Sequence, residues 1–170
     1  MDTFLAVTSK REVRDYAGRP IPADLAQRIL EAGRMSGSSS NRQPWRFVVV
    51  ESPSLRERLA DSVYSPANVR GAALVVVIAL RGKGNTSFDA GRAAQNMMLT
   101  AWNEHVGSCP NGMPDPDAVA ELLDLEDGER PTIALTFGYP ARTRDTERRT
   151  AIEWIERANR KPFDEVVQQL

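Results

Sequence analysis

A cluster of small polar side chains comes directly before an apolar run in this sequence. Residues 36–45 read SGSSSNRQPW, and the strand-like residues 46–51, RFVVVE, follow at once. A polar loop with serines capping a turn is the simplest interpretation of such a segment. The serines are consecutive, however, and Asn41 and Gln43 add amides that both donate and accept hydrogen bonds. Together with the apolar ring of Trp45, this set suits a planar heterocycle that carries an imide edge and a polar chain.

Two short basic clusters stand out in a chain whose formal net charge is only −1. Their members are Lys10, Arg11 and Arg14 near the start, and Arg157, Arg160 and Lys161 near the end. Each cluster taken alone is typical of a solvated charged surface. On a helix, Lys10 and Arg14 would share a face. If the two clusters converge, they suit a phosphate dianion, because each charge-assisted hydrogen bond contributes about 1.5–3 kcal/mol.

Three further segments carry weaker signals. Cys109 lies four residues after His105, but no third group that would orient such a pair is evident, so we assign no catalytic residue. The composition of residues 109–115 predicts a turn in which Asn111 and Gly112 can adopt positive φ. Its backbone N–H groups would meet a ligand, or the segment is a plain turn. The glycine loop GKGN at 82–85 lacks the spacing of a nucleotide-binding fingerprint.

Composition excludes several classes of function. The near-zero net charge offers no broad basic field for nucleic acid. The longest apolar run, at 71–80, is too short to span a bilayer, and the N-terminal residues lack the order of a signal peptide, so we expect a cytoplasmic protein without membrane contact. One cysteine and one histidine exclude a disulfide and a Cys/His zinc site within one chain, and we predict no metal. The length of 170 residues predicts a single domain over 1–170.

Helical and strand patterns alternate along the chain. Amphipathic helices are predicted at 22–35, 52–63, 87–107, 115–127 and 147–160. Strands are predicted at 46–51, 71–80 and 131–140. The segment 87–107 carries apolar residues around much of its circumference, which is typical of a central buried helix. This order predicts a layered α/β or α+β sheet protein.

Five motifs, in this order, resemble the FMN-dependent nitroreductase family over nearly the whole chain. They are SKREVRDYAGRPIP, SGSSSNRQPWRFVVVES, FDAGRAAQNMMLTAWNEHVGSCPNG, LTFGYP and NRKPFDEVV. The resemblance implies an α+β fold of three layers, with a central mixed sheet flanked by helices. It also implies a homodimer with two FMN molecules at its interface.

The resemblance also assigns site residues. The basic residues that would bind the FMN phosphate are Lys10, Arg11, Arg160 and Lys161. Arg14 would approach the ribityl chain and the N1/C2=O edge. The residues that would line the flavin from the partner subunit are Ser38, Ser39 and Asn41, with Gln43 in the same loop. Asn111 and Gly112 would lie near the N5 side.

The chain departs from the family pattern at two positions. Glu12 stands where the family usually has serine or threonine, which adds a negative charge beside the phosphate ligands. Gly37 replaces the usual proline, which predicts a looser loop. The chain is also shorter than many relatives, so insertions that often shape the substrate pocket are expected to be missing.

The implied reaction passes a hydride from NADH or NADPH through flavin N5 to a nitroaromatic, a quinone or a related small acceptor, in a ping-pong cycle. Because the cofactor carries that chemistry, the protein need only position the reactants, stack against the flavin and supply electrostatic stabilisation. Two alternatives stay open. One is a specialised relative that uses another donor, such as a deazaflavin, or reduces a dedicated metabolite. The other is a flavin-binding protein without turnover.

Overall fold

The computed structural model describes residues 1–142 and 145–170. The chain divides into two compact units, one made of residues 11–144 and the other of residues 1–10 and 145–170. A single domain over 1–170 stays a prediction.

A four-stranded sheet forms the centre of the larger unit. Its strands are β1 (Trp45–Val49), β2 (Leu74–Arg81), β3 (Gly107–Asn111) and β4 (Glu129–Gly138), in the order β1-β2-β4-β3. Neighbouring strands pair antiparallel, and a parallel component enters through the bridge between Glu12 and Ser108 at the outer edge of β3. The helices of this unit are α2 (Ala23–Arg34), α3 (Pro53–Asp61), α4 (Pro66–Gly71), α5 (Thr86–Asn103) and α6 (Pro116–Leu122).

Strand β2 shows why the unit has three layers. Its residues from Leu74 to Leu80 are all buried, because an unbroken apolar run requires cover on both faces of the sheet. Val76 and Ile78 pack on one face in a cluster with residues of α2 and α5. Val75 and Val77 pack on the other face in a cluster with residues of α3, α4 and α6. The prediction of an α+β fold with a central sheet between helical layers is confirmed.

The chain between α5 and β3 differs from its sequence-based prediction. The helix ends at Asn103 rather than at 107, and His105 adopts a left-handed φ of 59°. Strand β3 then begins at Gly107, in a region where no strand was predicted. The turn predicted around Asn111 and Gly112 is wrong: Asn111 ends β3, and neither residue has a positive φ. The short run GSCPN has little strand propensity, and its pairing with β4 sets its conformation.

The smaller unit contains α1 (Thr3–Ser9), α7 (Ala151–Glu156) and α8 (Phe163–Val166). Thr150 and Glu153 form a capping box that fixes the start of α7, and the Nε1 atom of Trp154 donates to the carbonyl of Thr146 at 2.9 Å. Large apolar side chains of this unit are exposed: Phe4, Val7, Ile152, Ile155, Phe163, Val166, Val167 and Leu170. Across the two described ranges, no helix is long and apolar enough to cross a membrane.

Candidate functional site

The serine loop, residues 36–44, has an unusual backbone. Ser40, Asn41 and Gln43 have φ values of 51°, 53° and 48°, in the left-handed region that non-glycine residues rarely adopt. Each such residue costs of order 1–3 kcal/mol, and its conformation persists only where surrounding contacts hold it. The N–H of Gln43 donates to Oγ of Ser38 at 2.8 Å, and the N–H of Ser39 donates to Oδ2 of Asp89 at 3.3 Å. Strain that tertiary contacts hold in place is typical of a loop with a function.

Helix α5 anchors the beginning of this loop. Nδ2 of Asn96 donates to Oγ of Ser36 at 2.7 Å, and that hydroxyl donates to the carbonyl of Ala32 at 3.1 Å. Gly37 leaves room for the guanidinium of Arg92, which a Cβ at position 37 would meet. Gly37 therefore allows a close approach of α5 to the loop.

A cavity of about 400 Å³ lies beside the serine loop. We call it the serine-loop cavity. Its wall comes from the loop itself, from the residues that follow β2 and from the first turn of α5: Ser39, Arg42, Pro44, Arg81, Gly82, Lys83, Gly84, Asn85, Thr86, Phe88 and Asp89. The exposed loop residues Ser39, Asn41 and Gln43 and the half-buried Ser38 thus sit next to a concave, partly basic surface.

The basic segment, residues 11–16, is extended and not helical. Glu12 bridges to Ser108 of β3, and the N–H of Val13 donates to the carbonyl of Ser108 at 3.0 Å. Alternation along an extended chain places Arg11 and Arg14 on opposite sides of the segment. The helical spacing considered from sequence is therefore wrong here, because pairing with β3 determines the conformation.

Arg14 borders a second cavity, of about 240 Å³, which we call the Arg14 cavity. Its other lining residues are Glu12, Val13, Asp15, Pro140 and Arg142. The carboxylates of Glu12 and Asp15 therefore share this cavity with two guanidinium groups. Glu12 lines the same cavity as Arg14; its effect on the phosphate ligands stays a prediction.

Asn111 is buried, with 3% of its surface exposed. Its Oδ1 accepts from Nδ2 of Asn68 at 2.6 Å, and its own Nδ2 donates to the carbonyls of Cys109 at 2.9 Å and Ala134 at 3.2 Å. The next residue, Gly112, accepts from the N–H of Tyr64 at 3.1 Å. The Asn111 side chain is committed to these internal bonds, so only the backbone of this segment is left to meet a ligand.

The polar network around Asn111 continues to Tyr16. The Tyr16 hydroxyl lies 2.9 Å from Oγ1 of Thr136, which donates to the carbonyl of Cys109 at 3.0 Å. Burial raises the pKa of Tyr16 well above its usual range. Sequence reasoning missed Asn68, Tyr16 and Thr136 as members of this network. The one available signal in the sequence was Thr136, a polar residue among the apolar residues of β4.

Cys109 and His105 lie in different surroundings. The Cys109 side chain is buried with 2% exposure, and Nδ2 of Asn68 lies 3.7 Å from its sulfur. His105 is exposed after the end of α5. This placement gives no support to a Cys–His nucleophile. Over the described ranges, no group of three or more metal-ligating side chains is present either.

The candidate residues of the larger unit fall at opposite edges of its sheet. The serine loop leads into β1, which is one edge strand, whereas Asn111 ends β3, the other edge strand, and the basic segment bridges to the outer side of β3. Three strand spacings separate these edges, a distance of about 14 Å. Within this unit, one chain therefore does not bring its serine loop to its own basic segment.

Three candidate residues belong to the smaller unit. Lys10 follows α1 and is half-buried. Arg160 and Lys161 are exposed in the connection between α7 and α8, after a left-handed Asn159 with φ of 48°. All three lie in non-helical positions next to helix ends.

Comparison with known proteins identifies the fold and the family. A model described as the nitroreductase family matches residues 7–79 and 67–139, which together span more than half of the chain. A Methanothermobacter thermautotrophicus protein with the provisional name NADH dehydrogenase/NAD(P)H nitroreductase is 27% identical over 150 residues, covering 83% of this chain and 78% of that protein. An NADPH-dependent oxidoreductase of Staphylococcus aureus is 25% identical over 187 residues, covering 94% of this chain and 70% of that protein.

Solved structures give the same result for the fold. A nitroreductase family protein from Clostridium difficile superimposes with a TM-score of 0.83 at 23% identity, covering 99% of this chain and 98% of the other. The NADPH:FMN oxidoreductase of Vibrio harveyi, in complex with NAD⁺, superimposes with a TM-score of 0.81 at 22% identity, covering 96% and 75%. The nitroreductase-like fold predicted from the motifs is confirmed.

Proposed function

The chain belongs to the nitroreductase family, and we propose that it is an FMN-dependent oxidoreductase that uses NAD(P)H to reduce a small nitroaromatic, quinone or related acceptor. The observation that carries this proposal is the strained serine loop, with three left-handed non-glycine residues in four positions. Such strain persists only where surrounding contacts hold it, and it clusters at ligand-binding sites. The names of the relatives add NADH and NADPH as candidate donors.

The donor set of the chain fits FMN. Hydroxyls and amides of the serine loop match the polar edge of a flavin ring, and the Asn41 and Gln43 side chains both donate and accept. Arg14 borders a concave surface, which suits a group that approaches the N1/C2=O edge. The four proposed phosphate ligands are cationic, as a dianion requires: Lys10, Arg11, Arg160 and Lys161.

The same geometry favours a homodimer. The serine loop lies at the Leu80 end of one sheet edge, whereas the basic segment pairs outside the other edge at the level of Leu74. Because this diagonal is longer than the roughly 14 Å between the edge strands, a flavin that contacts both sets needs the loop of a second copy. The exposed apolar side chains of the smaller unit also favour association. In this arrangement Ser38, Ser39 and Asn41 face the Arg14 and Gly112 segments of the partner copy.

The protein's own residues would position the flavin and stabilise the charge that develops on its ring. FMN, when bound, supplies reversible hydride acceptance at N5. Arg14 would stabilise negative charge at the pyrimidine edge of the ring, because a fixed cation there needs no reorganisation. The backbone at Asn111 and Gly112 would face the N5 side, held there by the buried Asn68–Asn111 bond. In this proposal the chain supplies no acid, base or nucleophile. The electron donor and the acceptor would occupy the same face of the flavin in turn.

The absorption spectrum of the purified protein, followed by steady-state NAD(P)H oxidation with menadione or nitrofurazone, tests the proposal. We expect bands of oxidised flavin and parallel double-reciprocal plots at several acceptor concentrations. Bound flavin without turnover would indicate a flavin-binding protein. Turnover with a reduced deazaflavin but not with NAD(P)H would indicate a specialised relative. A protein that neither contains nor binds FMN would contradict the proposal.

A further inference from the structure

We infer that the serine-loop cavity receives the adenosine 2′-phosphate of NADPH, which makes NADPH the preferred donor. This inference rests on the proposed function and deepens it, since neither the motifs nor the relatives' names distinguish NADPH from NADH. Three features of the cavity support it: the charges of its wall, the shape of its glycine loop and its place beside the serine loop.

Cations outnumber carboxylates in the cavity wall. Arg42, Arg81 and Lys83 line it, against the single carboxylate of Asp89. Asp89 accepts the N–H of Ser39, and Nη2 of Arg81 pairs with Oε2 of Glu126 at 2.6 Å. Arg42 and Lys83 are exposed, and neither forms an ion pair with any residue in the described ranges. These two cations are therefore available to an anion in the cavity.

The loop that carries Lys83 has a backbone that its glycines permit. Gly82 and Gly84 have φ values of 104° and 97°, which other residues rarely adopt. A side chain at either position would meet nothing within 4 Å, so the glycines serve the backbone conformation and not close packing. The sequence thus specifies a tight turn that holds Lys83 at the cavity.

A neighbouring aromatic ring suits the base of a phosphorylated nucleoside. The Phe88 ring lines the same cavity and is 63% exposed, which offers a flat surface to an adenine ring.

The cavity is adjacent to the proposed flavin contacts, because Ser39 belongs to both. A dinucleotide whose nicotinamide end lies at the flavin has its adenosine end available for this cavity. NADPH differs from NADH only in a phosphate in place of the 2′-hydroxyl. Two unpaired cations distinguish these groups, since a dianion gains charge-assisted hydrogen bonds that a hydroxyl does not.

Isothermal titration calorimetry with adenosine 2′,5′-bisphosphate and with 5′-AMP tests the cavity without relying on turnover. We expect the wild-type protein to bind the bisphosphate at least about tenfold more tightly than 5′-AMP, in line with one or two added charge-assisted bonds. Arg42→Ala and Lys83→Ala should each reduce that difference about tenfold. Arg58→Ala, which removes an exposed arginine outside the cavity, is the matched control and should retain it.

Steady-state kinetics of the flavin-loaded enzyme provides the second measurement. The ratio of kcat/KM for NADPH to that for NADH should exceed unity in the wild type and fall about tenfold in Arg42→Ala and in Lys83→Ala. Equal binding of the bisphosphate and 5′-AMP, or a ratio that neither substitution changes, would overturn the inference while leaving an FMN enzyme intact. A protein that discriminates the bisphosphate but binds no FMN would instead contradict the proposed function and support the cavity.

Discussion

Asn68 of α4 donates a hydrogen bond from Nδ2 to Oδ1 of Asn111, the last residue of β3, at 2.6 Å. Both side chains are buried, with 4% and 3% exposure. The bond ties a short helix to the segment that contains Gly112. Because an unpaired buried amide costs about 1–3 kcal/mol, this contact fixes the backbone proposed to face flavin N5.

Asn68→Ala should therefore lower the free energy of unfolding by about 1–3 kcal/mol, since it leaves Oδ1 of Asn111 buried without this donor. Urea denaturation measures the change. Asn103→Ala removes an exposed amide at the end of α5 and is the matched control, with an expected change within about 0.5 kcal/mol. Equal stability of Asn68→Ala and the control would show that the bond does not hold the segment.

Two glycines should respond in opposite ways to a methyl group. A Cβ at Gly107 would lie 2.6 Å from Cβ of Val13, so Gly107→Ala should destabilise the protein by about 1–3 kcal/mol and displace the basic segment from β3. Gly91 lies exposed in α5, and a Cβ there would meet nothing within 4 Å. Gly91→Ala should therefore stabilise by up to about 1 kcal/mol. Thermal denaturation of the pair tests the packing of the basic segment, and stabilisation by both substitutions would refute it.

FMN titration, monitored by the quenching of flavin fluorescence, tests the proposed phosphate ligands. Arg11→Ala and Arg160→Ala should each weaken FMN binding by about tenfold or more, because each removes a charged donor from a dianion. Arg58→Ala should bind FMN like the wild type. If both test variants retain wild-type affinity, the phosphate lies elsewhere on the protein.

The raised pKa of Tyr16 predicts that the protein loses stability at alkaline pH. Burial raises the pKa of its hydroxyl above the ordinary value of 10.0, so the folded state keeps the proton to a higher pH than the unfolded chain. The stabilisation is complete below pH 10.0 and is lost as the pH rises above that value, because the unfolded state alone releases the proton there. Tyr16→Phe lacks this group, so its free energy of unfolding should fall less between about pH 8 and about pH 11. Parallel pH profiles for the two proteins would contradict the assignment.

Apolar patterns in the sequence predicted much of the scaffold. The run at 71–80 predicted a strand covered on both faces, and β2 at Leu74–Arg81 has that environment. Strand β3 was missed because its glycine, serine and proline have little strand propensity, and its conformation comes from pairing Cys109 with Thr136 of β4. Such long-range pairing leaves no periodic signal in a five-residue segment.

The candidate site was predictable in composition but not in arrangement. The serine loop stands directly before β1, as its sequence predicted, although three left-handed residues in it could not be foreseen. Helical spacing failed for Lys10 and Arg14 because α1 ends at Ser9 and the bridge from Glu12 to Ser108 extends the segment that contains Arg14. The separation of loop and basic segment onto opposite edges depends on strand order, which local sequence does not encode.

The central claim is that each flavin site combines the basic segment of one copy with the serine loop of another, and heterodimer complementation tests it most directly. Arg11→Ala/Arg14→Ala and Ser39→Ala/Asn41→Ala chains, with different affinity tags, are co-expressed, and the doubly tagged dimer is purified. Each variant homodimer should contain little FMN. The mixed dimer should contain about half of the wild-type FMN, because one of its two sites then has both sets intact, and light scattering should report twice the chain mass of 18.8 kDa. A mixed dimer as depleted of FMN as the two homodimers would contradict the claim, since it would show that each chain builds its site alone.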